Sequence, residues 1–240
     1  MGKNILIILL SILMIGSLGY LTYLYLQRES LNSQIRILEI EMDRFTKLED
    51  KEEKIKNMSK TLLIHYGHLS WYEAYYYSVI IYDFSYKYNL PWEMYAALMR
   101  IESNFDPTAK SVKGAKGLTQ VIEPTGKSVA EELGIQYKEG LTLWNDILNI
   151  IIGFTYFSEG AQKAGLEDGI KRYNGGPGFK KGHKGIGIYR TTVWQEYLRL
   201  KYIYNGVIND TEEEEDFPKL IQQIDAKEEL DSFIDSVVSK

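Results

Sequence analysis

The chain has 240 residues, enough for one or two domains, and its 28 basic and 33 acidic residues give a net charge of −5. This charge excludes a globally basic nucleic-acid-binding protein, and 45% hydrophobic with 25% charged residues is the composition of a globular chain. The absence of cysteine excludes a disulfide framework, a cysteine-ligated metal and a thiol nucleophile. Because the three histidines are scattered along the chain, the sequence also predicts no metal site.

The first 27 residues have the composition of a membrane-spanning helix. Ile5 to Leu26 is a run of 22 residues without a charge. At about 1.5 Å per residue this run is about 33 Å long as a helix, enough to cross a hydrocarbon core of about 30 Å. We therefore predict a transmembrane anchor at 1–27. A cleaved signal peptide is the alternative, although its apolar region is normally shorter than this one.

Residues 28–70 are rich in charge and free of proline, which favours a helical stalk. Five apolar residues at its start step by four and three, which is the spacing of a short coiled coil: Leu31, Ile35, Leu38, Met42 and Phe45. The same register then reaches Glu49 and Glu52, so the apolar pattern ends after two heptads. The pattern leaves two interpretations open, a single helix and weak self-association through the stalk.

Residues 71–206 have the pattern of a folded, mainly α-helical domain. Apolar residues recur at helical spacing, and no alternating strand pattern exceeds four residues. Proline and glycine mark several helix ends. The predicted helices are Ala74–Tyr88, one that starts at Pro91 and ends before Phe105, Pro124–Gly134, Trp144–Ala164 and Val193–Tyr204.

The last segment, 207–240, is an acidic tail. It contains eleven acidic and three basic residues, a net charge of −8, so the rest of the chain has a net charge of +3. An acidic run at 212–216 is followed by apolar residues at helical spacing. This pattern predicts either a helix that docks or binds a partner, or a loosely ordered tail. The apolar residues are Leu220, Ile221, Ile224, Leu230, Phe233, Ile234 and Val237.

Glu102 is the first candidate for chemistry. It follows Ile101 in the last turn of the predicted helix, at the edge of that helix's apolar stripe. Partial burial there raises the pKa of a carboxyl group and keeps it protonated near neutral pH, as a general acid requires. By itself, however, a glutamate at a helix end is an ordinary structural feature.

The residues that follow Glu102 give it a context. From Glu102 the chain has the pattern E-S-x-F-x-P-x-A-x-S-x-x-G-A-x-G-L-x-Q-V. Later segments follow in order: N-I-x-x-G-x-x-Y-F from Asn149 and Y-N-G-G-P-G from Tyr173. Together these motifs resemble the lytic transglycosylase domain, which has a goose-type-lysozyme-like fold and cleaves peptidoglycan. The resemblance covers roughly 75–204, and its first string is the most specific part.

The resemblance implies roles for six residues. Glu102 is expected to be the single acid/base of the family. Ser111 is expected to hydrogen-bond near its carboxyl group, Gly117 to let the backbone approach the sugar, and Gln120 to present an amide in the cleft. Tyr173 and Asn174 are expected across the cleft, close to Glu102.

The chain departs from the family pattern at several positions. Thr119 replaces the usual methionine, which we expect to alter one wall of the cleft, and Glu123 stands where proline is common. The final E-T-R-x-Y-V segment is eroded around Arg190, Thr191 and Trp194, so no role is assigned there.

Two other carboxylates near Glu102 in sequence have structural explanations. Asp106 precedes Pro107, where a turn or capping role is expected. Glu123 begins a predicted helix, where it interacts favourably with the helix dipole. Neither is a compelling partner for Glu102 in a two-carboxylate mechanism.

The resemblance therefore implies a lysozyme-like helical domain on a membrane anchor and stalk. It implies cleavage of peptidoglycan glycan strands between N-acetylmuramic acid and N-acetylglucosamine, with no cofactor and no nucleic-acid partner. The domain is expected outside the cytoplasmic membrane, where that polymer lies. Two alternatives remain, a hydrolytic goose-type lysozyme and an inactive peptidoglycan-binding or structural membrane protein.

Overall fold

The computed structural model describes residues 2–176, 178 and 184–209, and these form seven α-helices and no β-strand. A short 3₁₀ turn, Thr142–Trp144, precedes the fifth helix. The prediction of a mainly α protein is thereby confirmed. The helices are α1 (Gly2–His65), α2 (Trp71–Tyr88), α3 (Trp92–Ser103), α4 (Glu123–Leu133), α5 (Asp146–Ala164), α6 (Leu166–Gly175) and α7 (Lys184–Asn209). The predicted acidic tail lies outside the described residues from Asp210 onward.

Local sequence accounts for many helix ends. At the start of α2, Ser70 and Glu73 form a reciprocal capping box, which satisfies two backbone N–H groups. Asn89 caps the C-terminus of α2 and Gly134 that of α4, both in the left-handed conformation. Pro124 lies in the first turn of α4, as predicted, because a helix start needs no N–H at that position.

Two helices differ from the prediction. α6 was not predicted, because its short sequence contains Gly169 and Gly175, which disfavour helix. α7 begins at Lys184, nine residues before the predicted start at Val193. Packing of α6 against α5 and α7 stabilises these helices where local propensity does not.

The chain divides into two compact units, and the first comprises residues 1–53. Within it the described residues belong to α1, and the predicted membrane-spanning run is apolar and exposed along its whole length. Its mean hydropathy reaches 2.4, so α1 is the one helix among the described residues that is long and apolar enough to cross a membrane. The apolar stripe of the predicted stalk is also exposed.

The second unit begins at Lys54, earlier than the expected domain start at Trp71. Ile55, Met58 and Leu62, at the end of α1, are buried in the same core as α2 and α3. The helical spacing of these residues in the sequence is compatible with a stalk or a core helix, and burial selects the core. The last turns of α1 therefore belong to the folded unit.

Tyr95 of α3 lies at the centre of this core. Its ring packs against Phe84 of α2 and against Phe154 and Phe157 of α5, at centroid distances of 4.6–6.1 Å. Its buried hydroxyl is paired with Ser158 Oγ at 2.6 Å, so no polar group is left unsatisfied there. α3 is thus held on two sides, and its last turn is placed rigidly.

A smaller apolar cluster lies beneath α4. Val121, Val129, Leu143 and Ile152 pack together and fix α4 and the 3₁₀ turn onto α5. This cluster supports the loop between α3 and α4, which carries most of the motif that follows Glu102.

Candidate active site

The candidate active site is built around Glu102 in the last turn of α3. α3 ends because Asn104 and Phe105 both adopt left-handed backbone conformations, with φ of 56° and 60°. Two successive non-glycine residues in this conformation are uncommon and store strain. Phe105 is buried against Tyr66 and Tyr77, and this packing stabilises the sharp turn. The carboxyl group of Glu102 is therefore held at the C-terminal end of α3.

Ser103, next to Glu102, joins the helix end to the following loop. Its hydroxyl donates a hydrogen bond to the backbone oxygen of Leu118 at 2.8 Å. The serine of the E-S pair therefore fixes the distance between the Glu102 backbone and the G-L-T-Q segment. The sequence alone indicated no role for Ser103.

The three loop residues expected to bind substrate brace the loop itself. Ser111 Oγ accepts a hydrogen bond from the backbone N–H of Ala115 at 3.0 Å. The Gln120 amide donates to the backbone oxygens of Ala109 and Gly117, at 3.0 and 2.9 Å. Gly117 has a φ of +70°, and a Cβ atom there would lie 2.6 Å from Asn149 Nδ2. The structure thus explains Gly117 by close packing against Asn149.

Asn149 of α5 is the centre of a buried polar network that the sequence analysis did not assign. Its amide nitrogen donates to the backbone oxygens of Lys116 and Leu143 at 2.8 and 3.0 Å. Its amide oxygen accepts from the backbone N–H and the hydroxyl of Thr119, both at 2.8 Å. One side chain therefore satisfies four partners and locks the loop onto α5.

Thr119 does not form a wall of the cleft, contrary to expectation. Its side chain is fully buried and its hydroxyl is turned toward Asn149. The threonine that stands in place of the usual methionine therefore lies inside the packed loop. Its hydroxyl has two acceptors there, the backbone and side-chain oxygens of Asn149.

Tyr173 lies in the last turns of α6 and reaches the same loop. Its hydroxyl donates to the backbone oxygen of Thr119 at 2.7 Å, and its ring packs against Tyr156 and Phe157. Burial raises the pKa of Tyr173 well above its usual value, and the nearby Glu102 charge raises it further. Tyr173 is thus in the electrostatic environment of Glu102, while Asn174 beside it is exposed.

Gly153 makes this arrangement sterically feasible. A Cβ atom at this position of α5 would lie 2.3 Å from Thr119 Oγ1 and 2.9 Å from the Tyr173 hydroxyl. The glycine of the N-I-x-x-G motif is therefore required by close approach of three elements, and not by a turn.

The direct partner of Glu102 is Tyr189 of α7, which the sequence analysis missed. The hydroxyl of Tyr189 donates a short hydrogen bond to Glu102 Oε1. Extending the apolar stripe of Val193 and Leu200 one turn toward the N-terminus would have placed Tyr189 on the buried face. The adjacent Arg190 points elsewhere, to the exposed Glu167 at 2.7 Å.

The environment of Glu102 suits a proton donor. Burial raises the pKa of Glu102 to about 7, and the hydrogen bond from Tyr189 opposes this rise. No other carboxylate of the described residues contributes to the shift. Glu102 is thus partly protonated at neutral pH, and can donate a proton and take one back.

Asp106 and Glu123 have structural partners. Asp106 accepts hydrogen bonds from the backbone N–H and hydroxyl of Thr108, which lower its pKa and agree with a turn role. Glu123 is the first residue of α4 and accepts from Lys116 and from the Tyr137 hydroxyl. Burial favours the protonated form of Glu123, but these hydrogen bonds outweigh it and lower its pKa.

Comparison with known proteins places this site in a family. Residues 80–186 match the Transglycosylase SLT domain. The matched segment contains Glu102 and all five expected substrate-binding residues, and it ends three residues before Tyr189. The match also agrees with the predicted lysozyme-like helical domain.

Several solved structures are similar to the chain. An inactive mutant of lytic transglycosylase Slt from Pseudomonas aeruginosa is 24% identical, with a TM-score of 0.44, over 54% of this chain and 24% of that one. The 70 kDa soluble lytic transglycosylase from Escherichia coli is 18% identical, with a TM-score of 0.38, over 62% of this chain and 28% of that one. The chain thus spans about a quarter of the length of these proteins.

The matched segment, residues 80–186, contains the half-buried glutamate, the braced loop and the tyrosine of α6, so this part of the chain is similar to the Transglycosylase SLT domain.

Proposed function

We propose that the protein is a membrane-anchored peptidoglycan lytic transglycosylase. It cleaves the β-1,4 bond between N-acetylmuramic acid and N-acetylglucosamine and leaves a 1,6-anhydromuramic end. Glu102 serves as the only acid/base. The observation that carries the proposal is the half-buried carboxyl group of Glu102, which lies in the last turn of α3 inside the segment that matches the SLT domain and accepts a hydrogen bond from Tyr189. Burial raises the pKa of this carboxyl group, as a proton donor requires.

In the first half of the reaction Glu102 acts as the general acid. Its proton passes to the glycosidic oxygen as the bond to the anomeric carbon breaks. The carbonyl oxygen of the substrate's N-acetyl group attacks the anomeric carbon and takes up the developing positive charge as an oxazolinium-like intermediate. This step needs no second protein carboxylate, which agrees with the structural partners of Asp106 and Glu123.

In the second half Glu102, now a carboxylate, acts as the general base. It removes the proton from the 6-hydroxyl of the same muramic residue, and that oxygen closes on the anomeric carbon as the oxazolinium bond breaks. The intramolecular hydroxyl competes with water because it is held at very high effective concentration. Glu102 ends the cycle protonated, as it began.

The residues around Glu102 have distinct proposed roles. Asn174 is exposed at the end of α6, and its amide is available to hold the substrate's acetamido group. Tyr173 and Tyr189 flank the carboxyl group and help to exclude water from it. Ser111, Gly117 and Gln120 shape the loop that forms one side of the cleft. Contact with sugar is proposed for the half-buried Ser111 and Gln120, while the buried Gly117 contributes through its close packing against Asn149.

Product analysis tests the chemistry. Purified peptidoglycan is digested with the full-length protein in isotopically labelled water, and the muramic ends are identified by mass spectrometry. Anhydro ends, lighter than hydrolytic ends by one water and free of label, are expected. Reducing ends that carry the label would instead assign the hydrolytic lysozyme activity, and intact glycan would favour an inactive binding protein.

The location is proposed from α1 and from the substrate. The exposed apolar run of α1 supports an uncleaved anchor, with the SLT domain on the side of the membrane where peptidoglycan lies. The protein is expected in the membrane fraction after high-salt washing, with residues from Trp71 onward accessible to external protease. A mature N-terminus near residue 20 would identify the run as a signal peptide.

A further inference from the structure

A groove of about 490 Å³ lies in the second unit, where the end of α1, α2, α3 and α7 meet. Trp92, which lines the groove, begins α3, whereas Glu102 lies in the last turn of that helix, ten residues or about 15 Å further along. None of the motifs found in the sequence includes a residue of this lining. The groove is therefore separate from the candidate active site.

The lining of the groove combines aromatic rings with a few uncharged polar groups. Its aromatic members are Tyr82, Tyr86, Trp92 and Tyr204, and its uncharged polar members include Ser85 and Asn89. Asn89 is exposed, and its side-chain amide has no hydrogen-bond partner among the residues that the structure describes. A sugar ring has apolar C–H faces that pack on aromatic rings and hydroxyl groups that bond to amides. The lining therefore suits a carbohydrate.

The aromatic rings are held in place by one another. The ring of Tyr86 stacks on that of Tyr82, with centroids 6.4 Å apart and 10° between the planes, yet Tyr86 is 81% exposed. Tyr204 packs edge-on against Trp92, with centroids 5.1 Å apart. Because neighbouring rings already order these side chains, a ligand that stacks on Tyr86 would cost little further side-chain entropy. Tyr86 thus presents a preformed aromatic face to solvent.

The charge of the groove narrows the choice of ligand. Lys54 is the one charged residue of the described lining, and it is exposed. With a cation and no carboxylate in the lining, the groove attracts an acidic ligand more than a neutral one. Peptidoglycan strands combine both properties, because their sugar rings are amphipathic and the stem peptides on the muramic residues are acidic.

We propose that this groove is a second binding site for peptidoglycan strands; the choice of ligand rests on the proposed function. A sugar ring stacks on the exposed face of Tyr86, the amide of Asn89 bonds to the sugar's hydroxyl or acetamido group, and a stem-peptide carboxylate lies toward Lys54. The site holds the cell wall at a point remote from the cleft, which raises the effective concentration of neighbouring strands at Glu102.

Binding to insoluble peptidoglycan tests the site without cleavage. Full-length protein carrying Glu102→Gln is mixed in detergent with purified cell walls, and the bound fraction is measured by sedimentation. We expect Tyr86→Ala in this background to weaken binding at least about fivefold, as loss of one well-packed aromatic contact does. The matched control is Tyr72→Ala, because Tyr72 is also an exposed tyrosine of α2, stacked on Tyr76 at 6.0 Å, and lies outside the groove. Equal affinities of the two variants would overturn the proposal.

Lys54→Glu tests the acidic part of the ligand. It is expected to weaken binding to intact peptidoglycan and to leave binding unchanged for glycan strands whose stem peptides have been removed by an amidase. Lys127→Glu is the control, since Lys127 is an exposed lysine of α4 outside the groove and the charge change is the same. An equal loss on both glycans, or an equal loss in the control, would overturn the contact between Lys54 and a stem-peptide carboxylate.

Activity separates this proposal from the proposed function. With Glu102 intact, Tyr86→Ala is expected to slow the digestion of cell walls and to keep the wild-type kcat/KM on soluble glycan fragments that fill only the cleft. An equal loss on both substrates would overturn the second site. Failure of the wild type to cleave any glycan would refute the proposed activity, while the binding assay would still judge the groove. A changed oligomeric state of Tyr86→Ala with unchanged glycan binding would assign the groove to a second copy instead.

Discussion

Tyr189 of α7 donates a hydrogen bond to Oε1 of Glu102 in the last turn of α3, across 87 residues of sequence. The contact places the strongest candidate for catalysis between two helices that pack along their length. It also opposes the effect of burial, because the hydrogen bond stabilises the charged carboxylate. The pKa of about 7 is the result of both effects.

The first prediction concerns the role of Glu102. Glu102→Gln preserves the shape of the side chain and removes the transferable proton. General acid–base catalysis contributes about 10²- to 10⁴-fold, and without a second carboxylate we expect a loss at or above the top of this range. The rate of release of soluble fragments from purified cell walls measures it. Circular dichroism on the same sample checks folding, and a folded variant with near wild-type activity would remove Glu102 from the mechanism.

The second prediction is the pH dependence of activity. Because the proposed first step needs protonated Glu102, kcat/KM should fall tenfold per pH unit above about pH 7, where the carboxyl group loses its proton. Initial rates between pH 5 and about pH 9 on soluble glycan fragments measure this limb. A decline in kcat/KM that already begins near pH 4.5, the ordinary pKa of glutamate, would mean that burial does not raise the pKa of the proposed catalytic acid.

The third prediction is the pH dependence of stability. The pKa of Glu102 is about 7 in the folded state and near 4.5 in the unfolded chain, so unfolding releases a proton between these values. The wild-type free energy of unfolding should therefore fall as pH rises through this window, by up to about 3 kcal/mol. Glu102→Gln lacks this proton, so it should match the wild type near pH 4 and be more stable at pH 8. Urea unfolding at both pH values compares the two proteins, and parallel pH profiles would contradict the assignment.

The fourth prediction assigns a positioning role to Tyr189. Tyr189→Phe keeps the ring and removes the hydrogen bond, which lets Glu102 rotate and raises its pKa further. Misplacement of a reacting group costs up to about 10²-fold in rate, so kcat should fall by that order. The alkaline limb of the pH profile should also move to higher pH, which loss of packing alone would not cause. An unshifted limb would reduce Tyr189 to a structural residue.

The fifth prediction uses two glycines of α5. Gly153→Ala should destabilise the protein by about 1–3 kcal/mol and lower activity, because its Cβ would lie 2.3 Å from Thr119 Oγ1. Gly160→Ala is the matched control: the nearest atom to its Cβ would be 3.9 Å away, so the variant should gain about 0.5–1 kcal/mol from helix propensity. Thermal unfolding of both variants makes the comparison, and similar melting temperatures would contradict the packing argument.

The sequence determined the features that depend on neighbouring residues. The apolar spacing and the Pro124 and Gly134 signals predicted helices close to those observed, and the string from Glu102 to Val121 indicated the family before any contact was known. The position of Glu102 at the edge of an apolar stripe also predicted a raised pKa. Each of these conclusions needs only information carried by residues within a few turns of one another.

Only the tertiary structure decided which groups meet. Tyr189 reaches Glu102, and Gly153 leaves room for Thr119 and Tyr173. Asn149 bonds four groups on two segments, the loop between α3 and α4 and the 3₁₀ turn. The end of α1 packs as core although its sequence also suits a stalk. These contacts join residues that lie tens of positions apart, and their existence depends on how the helices pack against one another. A local pattern can place a residue on a helix face, but the free energy of burying that face decides what it touches.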